Sequence, residues 1–441
     1  MKTKVSELFE RIRRTLKSEE YRNEARMERN QFTRKRKVGF VMVVAIIMNM
    51  IRRSTQIELD DFREVFMTEQ SQNTTYTKQS FSEARQKLSP AAFTLLNDEF
   101  VKGFYEDNYK TYKGFVLLAG DGSVIEIPNT PETREHYGSI ESSEGSRMAR
   151  ARYSHLYDVL NQISVAPLLA RVDASERDLL KNNIEALQAL TLPNTPILLL
   201  LDRGYPSADL ILYLMSRGIR FVMRASSQFF TEVKEARSDA VVEIEMTKER
   251  RKALRKRGIR IPRGTVISLR VIKVELASGL IETLVTDLTI EEVAHDEFKQ
   301  LYHMRWSIET GIDIAKNKFE IQNISGQKPI IIDQDFYATV LLSNIASVIK
   351  QAAQEELESS ASLKNRKYAE YKINNNILVG KLKNRLVMVI LEEDDDKRDN
   401  MYNRLISDIR RYVVPVRPGR TAPRRKLYTA NKYAQSKRRC L

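Results

Sequence analysis

Between Pro196 and Asp202 the chain reads Pro-Ile-Leu-Leu-Leu-Leu-Asp, six residues without a polar side chain ended by an acid. A strand with one wet face alternates polar and apolar residues, whereas a short unbroken run bounded by proline and a charge reads as a strand buried on both faces. Such a strand needs covering layers on either side, which narrows the fold class to mixed α/β. The surrounding text agrees. Residues 114–119 form a second apolar run, followed by Gly120-Asp121-Gly122-Ser123 and then Val124-Ile125-Glu126-Ile127-Pro128, a pattern that predicts a strand, a tight turn and another strand. Residues 153–172 read as one or two further strands, residues 176–190 as a helix with leucines at helical spacing, and a helix is expected to start near Ser207.

On either side of this core the texture changes. Residues 1–110 read as helical: a polar helix over 5–30, a buried one over 38–51, others over 59–68 and 93–105, and a short one within 76–90 capped by Ser80 or Ser82. The run at 38–51 follows Arg34-Lys35-Arg36-Lys37, as a membrane anchor would, but its 14 residues fall short of the roughly 20 needed to span. Residues 221–289 are β-rich, and within them 248–263 holds nine Lys or Arg against one Glu249, a density that suits a solvated loop or a surface that tracks phosphates. Residues 336–351 form an apolar helix; beyond Ser359 the chain is polar, with an acidic run at 392–396 and a basic stretch at 404–439 interleaved with Tyr412, Tyr428 and Tyr433. The expected divisions are 1–110 helical and DNA-end-binding, 111–215 core, 216–297 β-rich insertion, 298–360 core again, and 361–441 polar to basic.

Charge and composition narrow the function. With 73 Lys and Arg against 58 Asp and Glu the net charge is +15, a field that attracts a polyanion. The lone Cys440 excludes an intramolecular disulfide and a cysteine-rich zinc site, and with no apolar leader at the N-terminus the reading is a cytoplasmic protein. No phosphate-binding G-x-x-x-x-G-K-[ST], dinucleotide fingerprint, H-E-x-x-H or G-x-S-x-G is present, and His136, His155, His295 and His303 are scattered. Carboxylate chemistry remains. Asp121 and Asp202 each follow an apolar strand, where neighbouring strand ends share a crevice, although a single aspartate there also serves as a turn former or helix cap.

Residues 301–319 supply a third acid. Read as one helix, Tyr302, Arg305, Glu309 and Lys316 fall within an arc of about 60°, beside an apolar stripe of Leu301, Ile308, Ile312, Ala315 and Phe319. Taken alone, Arg305 and Glu309 are an i,i+4 ion pair on a solvated face. With Asp121 and Asp202 opposite, Glu309 completes an all-oxygen set of the kind that holds two Mg²⁺ about 4 Å apart for phosphodiester chemistry.

Asp121, Asp202 within LLLLDRGY, and Y-x2-R-x3-E-x6-K spelled by Tyr302, Arg305, Glu309 and Lys316 together resemble the bacterial insertion-sequence transposases of the DDE class, in the branch with the Y-R-E-K signature. The resemblance extends through FSEARQKLSPAAF, NISGQKPIIIDQDFYA and the basic tail, and so covers most of the chain. It implies a ribonuclease-H-like mixed-sheet core interrupted by a β-rich insertion between Asp202 and Glu309. It further implies Asp121, Asp202 and Glu309 as catalytic ligands of two Mg²⁺, with Mn²⁺ able to substitute, and Tyr302, Arg305 and Lys316 as contacts to the phosphates of the DNA end. The implied partners are double-stranded DNA, as terminal inverted repeats and as target, and a second copy of the chain in a synaptic complex, with no membrane and a nucleoid-associated location. Many relatives pass through a DNA hairpin. Trp306, the sole tryptophan, is expected to pack rather than to stack on a flipped base. A structure-selective nuclease without strand transfer and a non-catalytic DNA-binding derivative are the alternatives.

Overall fold

The computed structural model describes residues 2–34, 38–66, 76–141, 145–190, 192, 195–226, 229–276, 279–359 and 368–417; the tail beyond 417, with Tyr428, Tyr433 and Cys440, lies outside them, as do Lys35 to Lys37 and the end of the helix expected over 59–68. Helices α1 (Lys2–Lys17), α2 (Glu19–Glu24), α3 (Phe40–Met48), α4 (Thr55–Phe66), α5 (Lys78–Arg85) and α6 (Ala91–Phe104) precede the first strand. The helix expected over 5–30 is thus two, divided at Ser18, whose hydroxyl accepts from the Tyr21 amide at 3.2 Å and starts a new N-terminus. The apolar run at 38–51 yields the nine-residue α3, and among the described residues no helix is long and apolar enough to cross a membrane. The cap of α5 is Thr77 rather than Ser80 or Ser82. Its hydroxyl accepts from the Ser80 amide at 3.1 Å while Ser80 Oγ accepts from the Thr77 amide at 3.2 Å, so Ser80 is the inner half of a reciprocal cap.

The core follows in the order β1 (Val116–Glu126), α7 (Pro131–Tyr137), β2 (Ser139–Glu141), β3 (Arg147–Asp158), β4 (Ile163–Arg171), α8 (Glu176–Ala189), β5 (Ile197–Leu201), α9 (Ala208–Ser216) and β6 (Arg220–Arg224). Then come α10 (Thr231–Glu235), β7 (Ala240–Glu245), α11 (Lys248–Lys256), β8 (Val266–Glu275), β9 (Ile281–Thr286), α12 (Phe298–His303), α13 (Trp306–Asn317) and α14 (Pro329–Glu358). The chain closes with β10 (Tyr371–Ile373), α15 (Asn375–Leu382), α16 (Leu386–Leu391), α17 (Asp395–Arg410) and β11 (Val413–Pro415). The acidic run at 392–396 has a local purpose: Asp394 caps α17, accepting from the Lys397 amide at 2.8 Å, and Asp395 and Asp396 sit in the first turn, where the helix dipole favours negative charge.

One sheet organises the molecule, in the order β2-β3-β1-β5-β6-β9-β8-β7, with β4 also on β3. β1 is antiparallel to β3 and parallel to β5; β5 is parallel to β6; β6 to β9 is antiparallel. The apolar strand β5 lies inside, as its composition requires. Leu199 and Leu201 join one core with Leu180, Ile184 and Leu210, while Leu198 and Leu200 join another with Phe298, Leu301, Ile308 and Phe336. The β-rich residues beyond β6 continue this sheet through the β6 to β9 ladder.

Two local expectations fail. There is no turn at 120–123, because β1 runs unbroken through Asp121 and pairs with β3 over Leu118 to Glu126. The glycines serve close packing instead: a Cβ on Gly120 would sit 2.7 Å from Leu180 Cδ1 and 2.8 Å from Leu201 Cδ2. Much of the basic stretch at 248–263 is neither strand nor loop but the helix α11, capped by Thr247.

The N-terminal helices and the chain around α14, far apart in sequence, meet in space. Arg85, at the end of α5, is buried and donates from Nε to Gln334 Oε1 at 2.7 Å, from Nη1 to Ser325 Oγ at 2.5 Å and from Nη2 to Asp335 Oδ1 at 2.5 Å. Gln334 returns two bonds, to the carbonyls of Arg85 (3.1 Å) and Leu88 (2.6 Å). The N-terminal helices are thereby locked to α14.

Candidate active site

β1 and β5 run parallel with Gly120 opposite Leu201, so Asp121 and Asp202 are the next residues on adjacent strands, side by side where β5 ends and β1 continues. Asp202 Oδ1 accepts from the Gly204 amide at 2.8 Å and Asp121 Oδ1 from the Gly122 amide at 2.7 Å. Burial first, and then the like charge of Asp202, push the Asp121 carboxyl up to about 6, against the pull of the Gly122 amide and Arg305. Two residues to which the sequence reading gave no role at the site share this field. Glu176, in the first turn of α8, adds to the negative charge felt by Asp121, and the buried Tyr205 hydroxyl is held neutral by burial and by Asp121, Glu176 and Asp202.

The expected helix over 301–319 is broken between α12 and α13. The Arg305 amide bonds the Tyr302 carbonyl, Ser307 bonds Met304 and Ile308 bonds Arg305, all at i−3, so the ladder tightens to a 3₁₀ turn and the angular phase of the wheel shifts. Three of the four signature residues have identified partners of their own. Tyr302 is buried, its hydroxyl donates to the Leu201 carbonyl at 3.3 Å, and burial pushes it up to about 12. Lys316 Nζ donates to Ser123 Oγ at 2.7 Å and to the Val124 carbonyl at 2.9 Å, and burial lowers its pKa against the opposing pull of Glu126. The helix pair is thus strapped at one end to β5 and at the other to β1, the strands that carry the aspartates.

Between the straps lies Arg305, only 8% exposed, donating from Nη2 to Glu309 Oε1 at 3.2 Å with its guanidinium 5.8 Å from the Tyr302 ring centre. Its Nε is buried without a hydrogen-bond partner, and its charge is felt by Asp121. The structure therefore brings Asp121 and Asp202 together and puts Glu309 on Arg305. Among the described residues no three Asp, Glu, His or Cys side chains converge closely enough to hold one metal ion. Trp306, in the first turn of α13, is 49% exposed. Gly311 lets α13 lie against the sheet, since a Cβ there would be 2.7 Å from the Tyr157 ring. A glycine inside an amphipathic helix, disfavoured by about 1 kcal/mol against alanine, was the signal in the sequence for that close approach. A wide cleft of about 1970 Å³ between the N-terminal helices and α16 and α17 includes none of these residues.

Residues 114–345, more than half of the chain and spanning β1 to the middle of α14, match the family described as Transposase DDE domain. The chain belongs to this family. The transposase domain encloses Asp121, Asp202 and Glu309 together with the helices that carry or flank them. Among solved structures the transposase is similar to the cryo-EM structure of the piggyBac transposase synaptic complex with hairpin DNA, at 11% identity and a TM-score of 0.40 over 87% of this chain and 76% of that one. No curated protein matches it.

Proposed function

We propose that this DNA transposase belongs to the Y-R-E-K branch of bacterial insertion-sequence enzymes, and that it cuts the ends of its own element and joins the freed 3′-hydroxyls to target DNA. The observation that carries the reading is the adjacency of Asp121, within β1, and Asp202, just past the end of the parallel strand β5, with Glu309 on α13, which packs against β1. The strand order β4-β3-β1-β5-β6, antiparallel on one side of β1 and parallel on the other, supports a ribonuclease-H-like core, with the strands β7 to β9 as its insertion.

The donor chemistry fits a hard divalent cation. Two adjacent acids, one with its proton held up to about 6, are what such a cation would relieve, and all three candidate ligands offer oxygen. Asp121, Asp202 and Glu309 would hold two Mg²⁺, or Mn²⁺ in their place, which when bound supply activation of the attacking oxygen and neutralisation of the leaving one. For Glu309 to join the aspartates, Arg305 must release it. A phosphate of the DNA end offers that guanidinium a charge-assisted partner and takes up its vacant Nε. Lys316 and Tyr302 would contact phosphates of the same DNA end. DNA enters as duplex ends and as target; residues 1–110 contribute to end binding, and two copies of the chain hold two ends.

The test is strand cleavage on DNA carrying the element's ends. Asp121→Ala, Asp202→Ala and Glu309→Ala should each abolish metal-dependent cutting while end binding persists; full activity in any one of them would sink the assignment. The Arg305 to Glu309 pair is the one observation that favours a non-catalytic DNA-binding protein, and Mg²⁺-dependent nicking by the wild type decides against it. A joining assay with target DNA separates the transposase from a nuclease that leaves the 3′-hydroxyl free.

A further inference from the structure

The helix α11 divides its charges between two faces. Arg250, Leu254 and Arg257, at i, i+4 and i+7, share the face turned to neighbouring elements: Arg250 makes a two-pronged pair with Glu232 at 2.7 and 2.9 Å, Leu254 is buried, and Arg257 Nη1 donates to Asp209 Oδ1 at 2.8 Å. The arginines of that face are neutralised. Arg251 and Arg255, also i,i+4, turn the other way and meet Arg260 around a hollow of about 340 Å³ completed by Ile259 and Ile261. Among the described residues none of these three guanidiniums has a hydrogen bond or an ion pair, while their neighbours Arg250 and Arg257 each have a carboxylate. Three mutually repulsive cations converging on one hollow, without an acid among its lining residues, make an anion site, and the fork of each guanidinium matches a phosphate's oxygens.

The position of the hollow narrows the anion further. Arg257 anchors the end of α11 to Asp209 in the first turn of α9, the helix that follows Asp202 after a short turn, and Lys181 of α8 reaches the same aspartate at 3.2 Å. The hollow therefore belongs to the part of the insertion fastened beside the carboxylate end of β5. Around it Lys248, Lys252, Lys256 and Arg263 are exposed, so the positive surface continues beyond the three lining residues.

We infer that the hollow formed by Arg251, Arg255 and Arg260 is a phosphate clamp for the backbone of duplex DNA, holding a stretch of the helix outside the carboxylate site without reading its sequence. The inference rests on the proposed DNA transposase function, which it deepens by adding a second point of attachment. The clamp contributes affinity through counterion release, so its signature is salt dependence.

The experiment measures binding of a 30-base-pair duplex of arbitrary sequence to the full chain by fluorescence anisotropy across a series of salt concentrations. Arg251→Gln/Arg255→Gln/Arg260→Gln should weaken binding at least about tenfold at moderate salt and lower the slope of log K against log[salt] by about 3, roughly 1 per lost contact. A control with the same change of charge, Lys372→Gln/Lys397→Gln/Arg411→Gln on β10, on α17 and just past the end of α17, should lower it much less. Wild-type slope and affinity in the clamp variant, or an equal fall in the control, overturn the clamp. So does stabilisation of the wild type by millimolar inorganic phosphate that the clamp variant loses while its DNA slope is unchanged, because the hollow then serves a free anion. Should the triple variant fail to fold, Arg260→Gln alone should lower the slope by about 1. Failure of the wild type to bind duplex DNA at all defeats the transposase reading itself, whereas a binding wild type with an unaltered clamp variant defeats only the clamp.

Discussion

At the scale of single residues, the site stores unfavourable charge. Asp121 holds its proton more tightly in the folded chain than an ordinary aspartate does in the unfolded one, so stability falls as pH rises from about 4 to about 6 and stays lowered above that window. Asp121→Asn should therefore raise stability at pH 7.5 by about 1–3 kcal/mol, with no gain below pH 4, as read from urea unfolding at the two pH values. Equal stability of variant and wild type at pH 7.5 would show that the cost is not held at Asp121. Lys316→Ala should keep the metal dependence of cleavage and weaken end affinity; unfolding instead would make its bonds to Ser123 and Val124 its whole role. Asp121 and Asp202 were legible because an apolar strand leads straight into each. Glu176 and Tyr205 were not, since only the packing of α8 and the turn after β5 brings them near, and no local pattern encodes either event.

At the scale of elements, errors and successes separate by how local the deciding interaction is. The strand β5 and the helices α8, α9 and α14 are written in apolar periodicity and were readable. The turn expected at Gly120-Asp121-Gly122-Ser123 obeyed local preference, but the long ladder with β3 overrode it. The single helix expected over 301–319 obeyed periodicity, which does not register a change from i−4 to i−3 bonding. The seating of α13 supplies a test. Gly311→Ala should destabilise by about 1–3 kcal/mol and lift the helix from β3, lowering cleavage. Combining it with Tyr157→Leu, which withdraws the opposing ring, should give a protein more stable than the sum of the two losses predicts; simple additivity would mean that the two residues do not collide.

At the scale of the whole molecule, a buried ion pair joins parts that lie far apart in the chain. Arg85 and Asp335 are separated by most of the transposase domain, and removing one partner of such a pair leaves the other charge buried. Arg85→Met should cost about 3–5 kcal/mol in urea unfolding and loosen the N-terminal helices from α14, detectable as faster proteolysis between them. A loss under about 1 kcal/mol would mean that Gln334, through its bonds to the backbone carbonyls of residues 85 and 88, holds the junction without it.

The β-rich segment is bound to the core in a way that governs how the protein could be shortened. Because β9 pairs with Val222, Met223 and Arg224 of β6, excising residues 225–289 would leave that side of β6 bare, with its amides and carbonyls unpaired beside one of the most apolar strands in the chain. A bare border of that kind is a template on which foreign strands add, and the shortened protein should be recovered as aggregate rather than as a smaller nuclease core. In this transposase strands β9, β8 and β7 move the edge of the sheet away from β6, and any lineage that discarded them would have to find another cover for β6 first.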